Sequence, residues 1–133
     1  MVQYGVPRRG LPNASALRRW ARAASPGGEV TLRIVGRREG QLLNRFRKRD
    51  YASNVLSFSH DHGGDIVLCH PVITREAREQ GKSLRAHYAH LVVHGVLHLR
   101  GHRHHDKASA RTMEAREIRI LRRIGFADPY TVE

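Results

Sequence analysis

The stretch HGVLHLRGHRH, residues 94–104, constrains this chain more than any other. It places His94, His98 and His104 in the spacing H-x3-H-x5-H. Residues four apart share one face of a helix, so His94 and His98 would present their imidazoles together. Gly101 can take the left-handed conformation that ends a helix, and the chain could then turn His104 toward the same point. Three neutral imidazoles with one open position are typical of a catalytic zinc site, so we predict one Zn²⁺ ion.

The same spacing occurs in the metzincin metalloproteases, whose first histidine is followed by a glutamate. In this chain Gly95 stands in the place of that glutamate. The sequence therefore keeps the three metal ligands and lacks the general base of the protease. A metallopeptidase stays as the less favoured alternative.

The charge of the chain points to a polyanionic partner. At 133 residues the chain fits a single domain, residues 1–133. It contains 24 Lys and Arg against 12 Asp and Glu, which gives a formal net charge of +12. Such a balance favours binding of nucleic acid. With one Trp, four Tyr and three Phe, the chain has few stacking platforms, so strong base specificity is not expected.

Cysteine content and hydropathy bear on location. Cys69 is the one cysteine, which excludes an intrachain disulfide and fits a reducing cytoplasm. No apolar run approaches the roughly 18 residues of a membrane span, and no hydrophobic segment follows Met1. We therefore expect a cytoplasmic protein with neither a membrane span nor a secretory signal.

Hydrophobic periodicity predicts an α+β fold, in which helices cover one mixed β-sheet and the histidine helix is its functional cover. The order is helix, strand, helix, strand, strand and three helices, after an extended arm at residues 1–13. Helices are predicted at 14–24, 37–46, 71–80, from Ser83 through the histidines, and at 107–124, and strands at 30–34, 55–59 and 65–69. In the second helix we expect Leu42, Leu43 and Phe46 to face inward.

Other side chains join the candidate site by position. Arg45, Arg47, Lys48 and Arg49 form a basic cluster, although cations at the end of a helix are favourable without any ligand. His87 and His90 lie on roughly the same helix face as His94 and His98. His90 is a candidate for the cleft around the ion; for His87 a surface position is equally compatible with the pattern.

Several segments together resemble the YbeY family of bacterial rRNA maturation endoribonucleases. Residues 94–104 are similar to the family's H-G-x-L-H-L-x-G-Y-D-H, and YASNVLSF at 51–58 is similar to its T-N-V-L-S-F strand. GDIVLC at 64–69, REAREQGKS at 75–83 and IGFADPY at 124–130 also match. The resemblance covers nearly the whole chain.

The resemblance implies a single-domain α+β endoribonuclease that holds one zinc-like ion by His94, His98 and His104. It implies single-stranded RNA as substrate, with roles in 16S rRNA 3′-end maturation and ribosome quality control. Ribosomal RNA and ribosomal particles would be the partners, and neither DNA nor a membrane is expected. The family's functional arginine falls on Arg47, with Arg45, Lys48 and Arg49 as neighbouring RNA-binding candidates.

The chain departs from the family before the third ligand, where His102-Arg103 replaces Tyr-Asp. A partner that orients the ligands must therefore come from elsewhere. His102 and Asp106, like His90, are candidates for positions around the ion. A metal held by neutral ligands can lower the pKa of bound water to about 7 and polarise a phosphoryl oxygen, whose growing charge Arg47 would stabilise. The alternative is a non-catalytic ribosome-assembly factor that binds RNA and uses its metal for structure.

Overall fold

The computed structural model describes residues 1–61, 63–101 and 107–131 and confirms a single small α+β domain. The strands are β1 (Val2–Tyr4), β2 (Glu29–Val35), β3 (Val55–His60) and β4 (Gly63–Cys69). The helices are α1 (Ala14–Ala24), α2 (Arg37–Asn44), α3 (His70–Glu79), α4 (Leu84–Leu99) and α5 (Lys107–Arg123), and a 3-10 turn at Arg45–Arg47 follows α2.

The four strands form one mixed sheet in the order β1-β2-β4-β3. β1, β2 and β4 are parallel, and β3 runs antiparallel to β4 with Val55 opposite Leu68. β1 corrects the prediction of an extended arm at residues 1–13, because Val2–Tyr4 pairs with β2. A strand this short carries too few residues for its alternation to stand out from an irregular segment.

Side chains that alternate along the strands build a core on each face of the sheet. The larger core joins one face to α1, α4 and α5, with Trp20, Tyr88 and Met113 among its fully buried side chains. The smaller core, on the opposite face, contains Cys69 and Val72. Cys69 is 1% exposed, as expected of a small core residue.

The helix that carries the histidines begins and ends at the predicted signals. Ser83 caps α4 by accepting a hydrogen bond from the Ala86 amide at 3.0 Å. At the other end Gly101 has a φ of +96°, the left-handed conformation that glycine tolerates. α4 crosses the sheet closely at Gly95, where an added Cβ would lie 3.1 Å from Ile66 and 3.2 Å from Val55. The glycine thus sets how near the histidines come to β3 and β4.

The prediction for the end of α2 is wrong at two residues. Leu42 is 47% exposed and Phe46 is 80% exposed, whereas Leu43 packs against the smaller core. Gly40 and Asn44 take the inward face of α2, and the Asn44 amide donates to the Tyr51 carbonyl at 2.7 Å. The chain then tightens into the 3-10 turn, whose rotation per residue differs from that of an α-helix and carries Phe46 outward.

Among the described residues, no helix is long and apolar enough to cross a membrane.

Candidate active site

Two histidines of α4 point at each other across one turn of the helix. The Nε2 atoms of His94 and His98 are 3.1 Å apart, and both side chains are partly exposed. Their rings lie 4.6 Å apart between centroids at an angle of 60°. The i, i+4 spacing therefore brings two imidazole nitrogens to one point at the protein surface, as predicted.

A buried carboxylate from α5 lies behind this pair. Glu117 is fully buried, and its Oε1 lies 2.9 Å from His94 Nδ1 and 3.0 Å from His90 Nε2. Its other oxygen, Oε2, accepts a hydrogen bond from the Tyr130 hydroxyl at 2.8 Å. Both oxygens of Glu117 are thus occupied, and the carboxylate ties α4, α5 and the C-terminal segment together.

The charge state of Glu117 decides which nitrogen of His94 carries a proton. Burial alone would raise the pKa of the Glu117 carboxyl, but hydrogen bonds from His90 and His94 outweigh it and lower the pKa to about 2. An ionised carboxylate only accepts hydrogen bonds, so His94 Nδ1 is the donor. In the neutral ring, Nε2 then carries the lone pair that faces His98. This is the tautomer that a metal ligand at Nε2 requires.

Arg47 reaches the same place from the 3-10 turn. A cavity of about 290 Å³ is lined by Arg47, Val55, Ser57, Ser59, His94, His98 and Leu99. The guanidinium of Arg47 donates to the Ser57 carbonyl and lies 5.2 Å from the centre of the Phe58 ring. Ser57 in turn donates from Oγ to the Gly95 carbonyl at 3.0 Å, which joins β3 to α4 beside the histidines.

A larger cleft of about 1070 Å³ opens on the other side of His94. Its wall includes a chain of hydrogen bonds in which Glu76 accepts from Asn54 at 3.0 Å and lies 2.9 Å from His87 Nε2. His87 is 3% exposed, so it lies in the interior and not at the surface. Its burial lowers the pKa of the imidazole, partly offset by Glu76. Asn54 also accepts from the Val55 amide at 2.6 Å and so anchors the start of β3.

The described residues offer two donor sets for a metal ion. One is His90, His94 and Glu117, whose ligand atoms lie within 4.8 Å of one another. That set would have to give up the hydrogen bonds that now satisfy Glu117. The other is the facing Nε2 pair of His94 and His98, which would have to give up only the hydrogen bond between its own two nitrogens and opens into the cavity with Arg47. Imidazole nitrogens fit zinc, so the donor chemistry of this pair suits the ion that the sequence predicts.

Three predicted positions around the ion, His102, His104 and Asp106, lie outside the described residues. The other basic candidates are exposed: Arg45 forms a 3.7 Å ion pair with Asp50, and Arg49 extends from the same loop. Lys48 has a left-handed φ of +59°, which turns the chain directly after Arg47. The structure therefore brings Arg47 to His94 and His98 and leaves its three basic neighbours at the surface.

Glu117 and Tyr130 were missed by the sequence analysis. Glu117 stands on the inward face of α5, four residues after Met113 and three before Ile120, both of which are buried. A charged residue on the apolar face of a helix needs a partner, and this was the signal that could have revealed it. Glu117 lies 2.9 Å from His94 Nδ1, where a partner that orients a ligand would have to be. Tyr130 gave no comparable signal, since a tyrosine outside a helix or strand does not by itself indicate a partner.

This combination of a mixed sheet, a crossing helix with paired histidines and a buried carboxylate defines a small α+β protein with a candidate metal site. The family model of endoribonuclease YbeY matches residues 13–125. The endoribonuclease YbeY of Stenotrophomonas maltophilia is 49% identical over an alignment of 149 positions that covers 99% of this chain and 92% of the relative. The endoribonuclease YbeY of Methylibium petroleiphilum is 53% identical over an alignment of 126 positions, which covers 90% of this chain and 84% of the relative. The chain belongs to the endoribonuclease YbeY family, and the resemblance read from its motifs is confirmed.

The fold has a solved counterpart. The solution structure of a Thermotoga maritima protein aligns with a TM-score of 0.55, covering 98% of this chain and 99% of the other. At 22% identity, this likeness shows the fold alone.

Proposed function

We propose that this chain is a zinc-dependent endoribonuclease that cleaves single-stranded RNA. The observation that carries the proposal is the shared cavity, in which the Arg47 side chain lies with the facing Nε2 atoms of His94 and His98. Family membership supplies the class of substrate, because the relatives are endoribonucleases. We further propose ribosomal RNA in ribosomal particles as the target, with 16S rRNA 3′-end maturation and ribosome quality control as the roles, in the cytoplasm.

The proposed ligands of one zinc ion are His94, His98 and His104. Glu117 fixes the tautomer and ring orientation of His94 through the 2.9 Å contact at Nδ1. The left-handed Gly101, just after α4 ends at Leu99 and three residues before His104, agrees with a turn of the chain at that point. Zinc is favoured over other divalent ions because three imidazoles with an open position suit its tetrahedral geometry.

The chain's own residues contribute charge and position to the reaction. When bound, the zinc ion supplies Lewis acidity at a phosphoryl oxygen. Cleavage of a phosphodiester builds negative charge on the phosphoryl oxygens, and the guanidinium of Arg47 stabilises that charge from the opposite wall of the cavity. The contact to the Ser57 carbonyl holds Arg47 close to the reacting position before substrate arrives. Arg45, Lys48 and Arg49, exposed around it, hold the RNA backbone.

The metallopeptidase alternative meets a steric obstacle at Gly95. An added Cβ there would lie 3.1 Å from Ile66 and 3.2 Å from Val55, so these neighbours would have to shift to admit a glutamate. Experiment distinguishes the proposed endoribonuclease from the other alternative, a non-catalytic assembly factor.

Two measurements on the purified protein, each with and without a chelator, test the proposal. We expect the chelator to abolish cleavage of a single-stranded RNA, with little cleavage of its duplex or of DNA of the same sequence. If the chelator lowers the melting temperature while no RNA is cleaved in either condition, the metal is structural and the non-catalytic alternative is correct.

The third ligand is tested by alanine substitution at each histidine after Gly101. We expect His104→Ala to reduce zinc content most, measured by elemental analysis, with smaller effects from His102→Ala and His105→Ala. A larger loss in His105→Ala would assign the third ligand to that residue instead.

A further inference from the structure

The large cleft beside His94 is adjacent to the Arg47 cavity. Val55 and His94 line both spaces, so a strand of RNA whose phosphate lies against Arg47 would have a neighbouring group at the mouth of the cleft. The cleft measures about 1070 Å³, enough for a group much larger than a phosphate. The groups that line the cleft determine which part of a nucleotide it can bind.

The lining of this cleft is acidic, whereas the chain as a whole is basic. Three carboxylates, Glu76, Glu79 and Asp128, line it against one lysine, Lys82, although the whole chain has a formal net charge of +12. The Glu79 side chain is 65% exposed and lies 3.8 Å from Arg75, so Glu76 and Asp128 are the carboxylates whose charge chiefly disfavours a phosphate in the cleft. The phosphodiester is therefore favoured on the Arg47 side of His94, and an uncharged group with hydrogen-bond donors is favoured on the cleft side.

Asp128 offers an oxygen for such a donor. One carboxylate oxygen, Oδ1, accepts a hydrogen bond from the Tyr130 amide at 2.8 Å. Within the described part of the chain, the other oxygen has no hydrogen-bond partner, and the residue is half-buried at the cleft wall. Beside it the Tyr130 ring, 38% exposed, and Pro129 supply an apolar surface against which a flat ring can pack.

We propose that this cleft binds the nucleobase next to the cleaved phosphodiester and favours a base with an exocyclic amino group, such as cytosine, over uracil. The proposal rests on the ribonuclease function proposed above. Cytosine presents the N4 amino donor where uracil presents the O4 acceptor, and carboxylates accept hydrogen bonds from that amino group. Single-stranded RNA exposes these base edges for recognition. Selection by hydrogen bonding needs few aromatic side chains, which agrees with the composition of the chain.

The test uses an isosteric change at Asp128. In Asp128→Asn the side-chain carbonyl still accepts from the Tyr130 amide, while the second oxygen becomes an amide donor. Asp65→Asn is the matched control, because it removes the same charge from a half-exposed carboxylate on β4 that lines neither space. The probes are single-stranded oligocytidine and oligouridine of equal length, with binding measured by fluorescence anisotropy at one salt concentration.

We expect the unmodified protein to bind oligocytidine at least about fivefold more tightly than oligouridine. Asp128→Asn should lose most of that preference by weakening oligocytidine binding, although removal of a negative charge by itself favours RNA. Asp65→Asn should keep the preference and bind both RNAs equally or slightly more tightly. The sign of the change therefore separates base recognition from general electrostatics.

Two results would overturn the proposal: equal affinity of the unmodified protein for both RNAs, or the same behaviour in both aspartate variants. Neither result touches the ribonuclease function, which is measured by cleavage of mixed-sequence RNA. Conversely, if that RNA is not cleaved while the cytidine preference and its loss in Asp128→Asn are observed, the catalytic proposal fails and the base site stands as a binding site.

Discussion

The histidine face of α4 and the basic segment Arg45–Asp50 both supply side chains to one cavity, but they are held in different ways. On α4, His94 is fixed by a fully buried carboxylate that Tyr130 and His90 also contact. Arg47 is exposed and is held by a carbonyl of β3 and by the Phe58 ring. The partly exposed His94 is therefore held from behind by a buried partner, as the fixed geometry of a metal ligand would require, whereas a charge that meets a flexible RNA strand can itself lie at the surface.

The largest expected effect is on the histidine side of this comparison. The double variant His94→Ala, His98→Ala should lose its bound zinc, about one equivalent in the unmodified protein, and with it all RNA cleavage. Elemental analysis of protein purified without added metal gives the measurement. Unchanged metal content would move the site away from these two residues, toward a set that does not use them.

Substitution of Arg47 should separate metal binding from catalysis: the variant should keep its zinc and lose RNA cleavage. We expect Arg47→Ala to reduce turnover by about 100-fold or more with a smaller effect on RNA affinity, because the charge acts mainly on the transition state. Arg47→Lys should restore part of the loss, since a lysine lacks the planar fork that binds two oxygens. Single-turnover cleavage and binding are measured beside zinc content. An Arg47→Ala variant that cleaves normally but binds RNA weakly would reduce Arg47 to a backbone contact.

A substitution at Glu117 tests whether the buried carboxylate holds His94 in the orientation that zinc needs. Glu117→Gln should weaken zinc binding by about 10- to 100-fold, measured by competition with a chelator, because the amide no longer enforces the donor role of His94 Nδ1. Glu114→Gln, a change of the same kind on the same helix, is the control.

The same substitution predicts a change in acid stability of the metal-free protein. The folded pKa of Glu117, about 2, lies below the unfolded value of about 4.3. Its contribution to the free energy of unfolding is therefore complete above that unfolded value and is lost as the pH falls toward 2. Urea unfolding between these pH values should be less pH-dependent in Glu117→Gln. An unchanged pH dependence would mean that the carboxylate is not stabilised by its histidine partners.

The smallest effect is expected for the exposed neighbours of Arg47. Lys48→Ala should leave zinc content and turnover nearly unchanged and lower RNA affinity slightly, with the salt dependence of binding reduced by about one phosphate contact. Binding at several salt concentrations gives the slope. If Lys48→Ala and Arg47→Ala cause equal, small losses, the whole segment is a solvated helix end and catalysis belongs to the metal side alone.

Local patterns of the sequence predicted the elements well where each element carries its own signal. α1 has the predicted bounds, and Ser83 and Gly101 limit α4 as their chemistry requires. The spacing of His94 and His98 brings their Nε2 atoms together because a helix repeats every 3.6 residues. By contrast, β1 is too short to show a period, and Phe46 was misplaced because a 3-10 turn replaced the last turn of α2.

By itself the sequence determined the family, the α+β class and the two histidines of α4, since all of these depend on residues close together in the chain. Only the tertiary structure decided which distant residues meet them. Glu117 and Tyr130 reach the histidines from α5 and the C-terminal segment, and Arg47 crosses from the other side of β3. These contacts depend on how closely α4 packs against the sheet at Gly95. That packing involves side chains from separate elements, and no local pattern of the sequence encodes it.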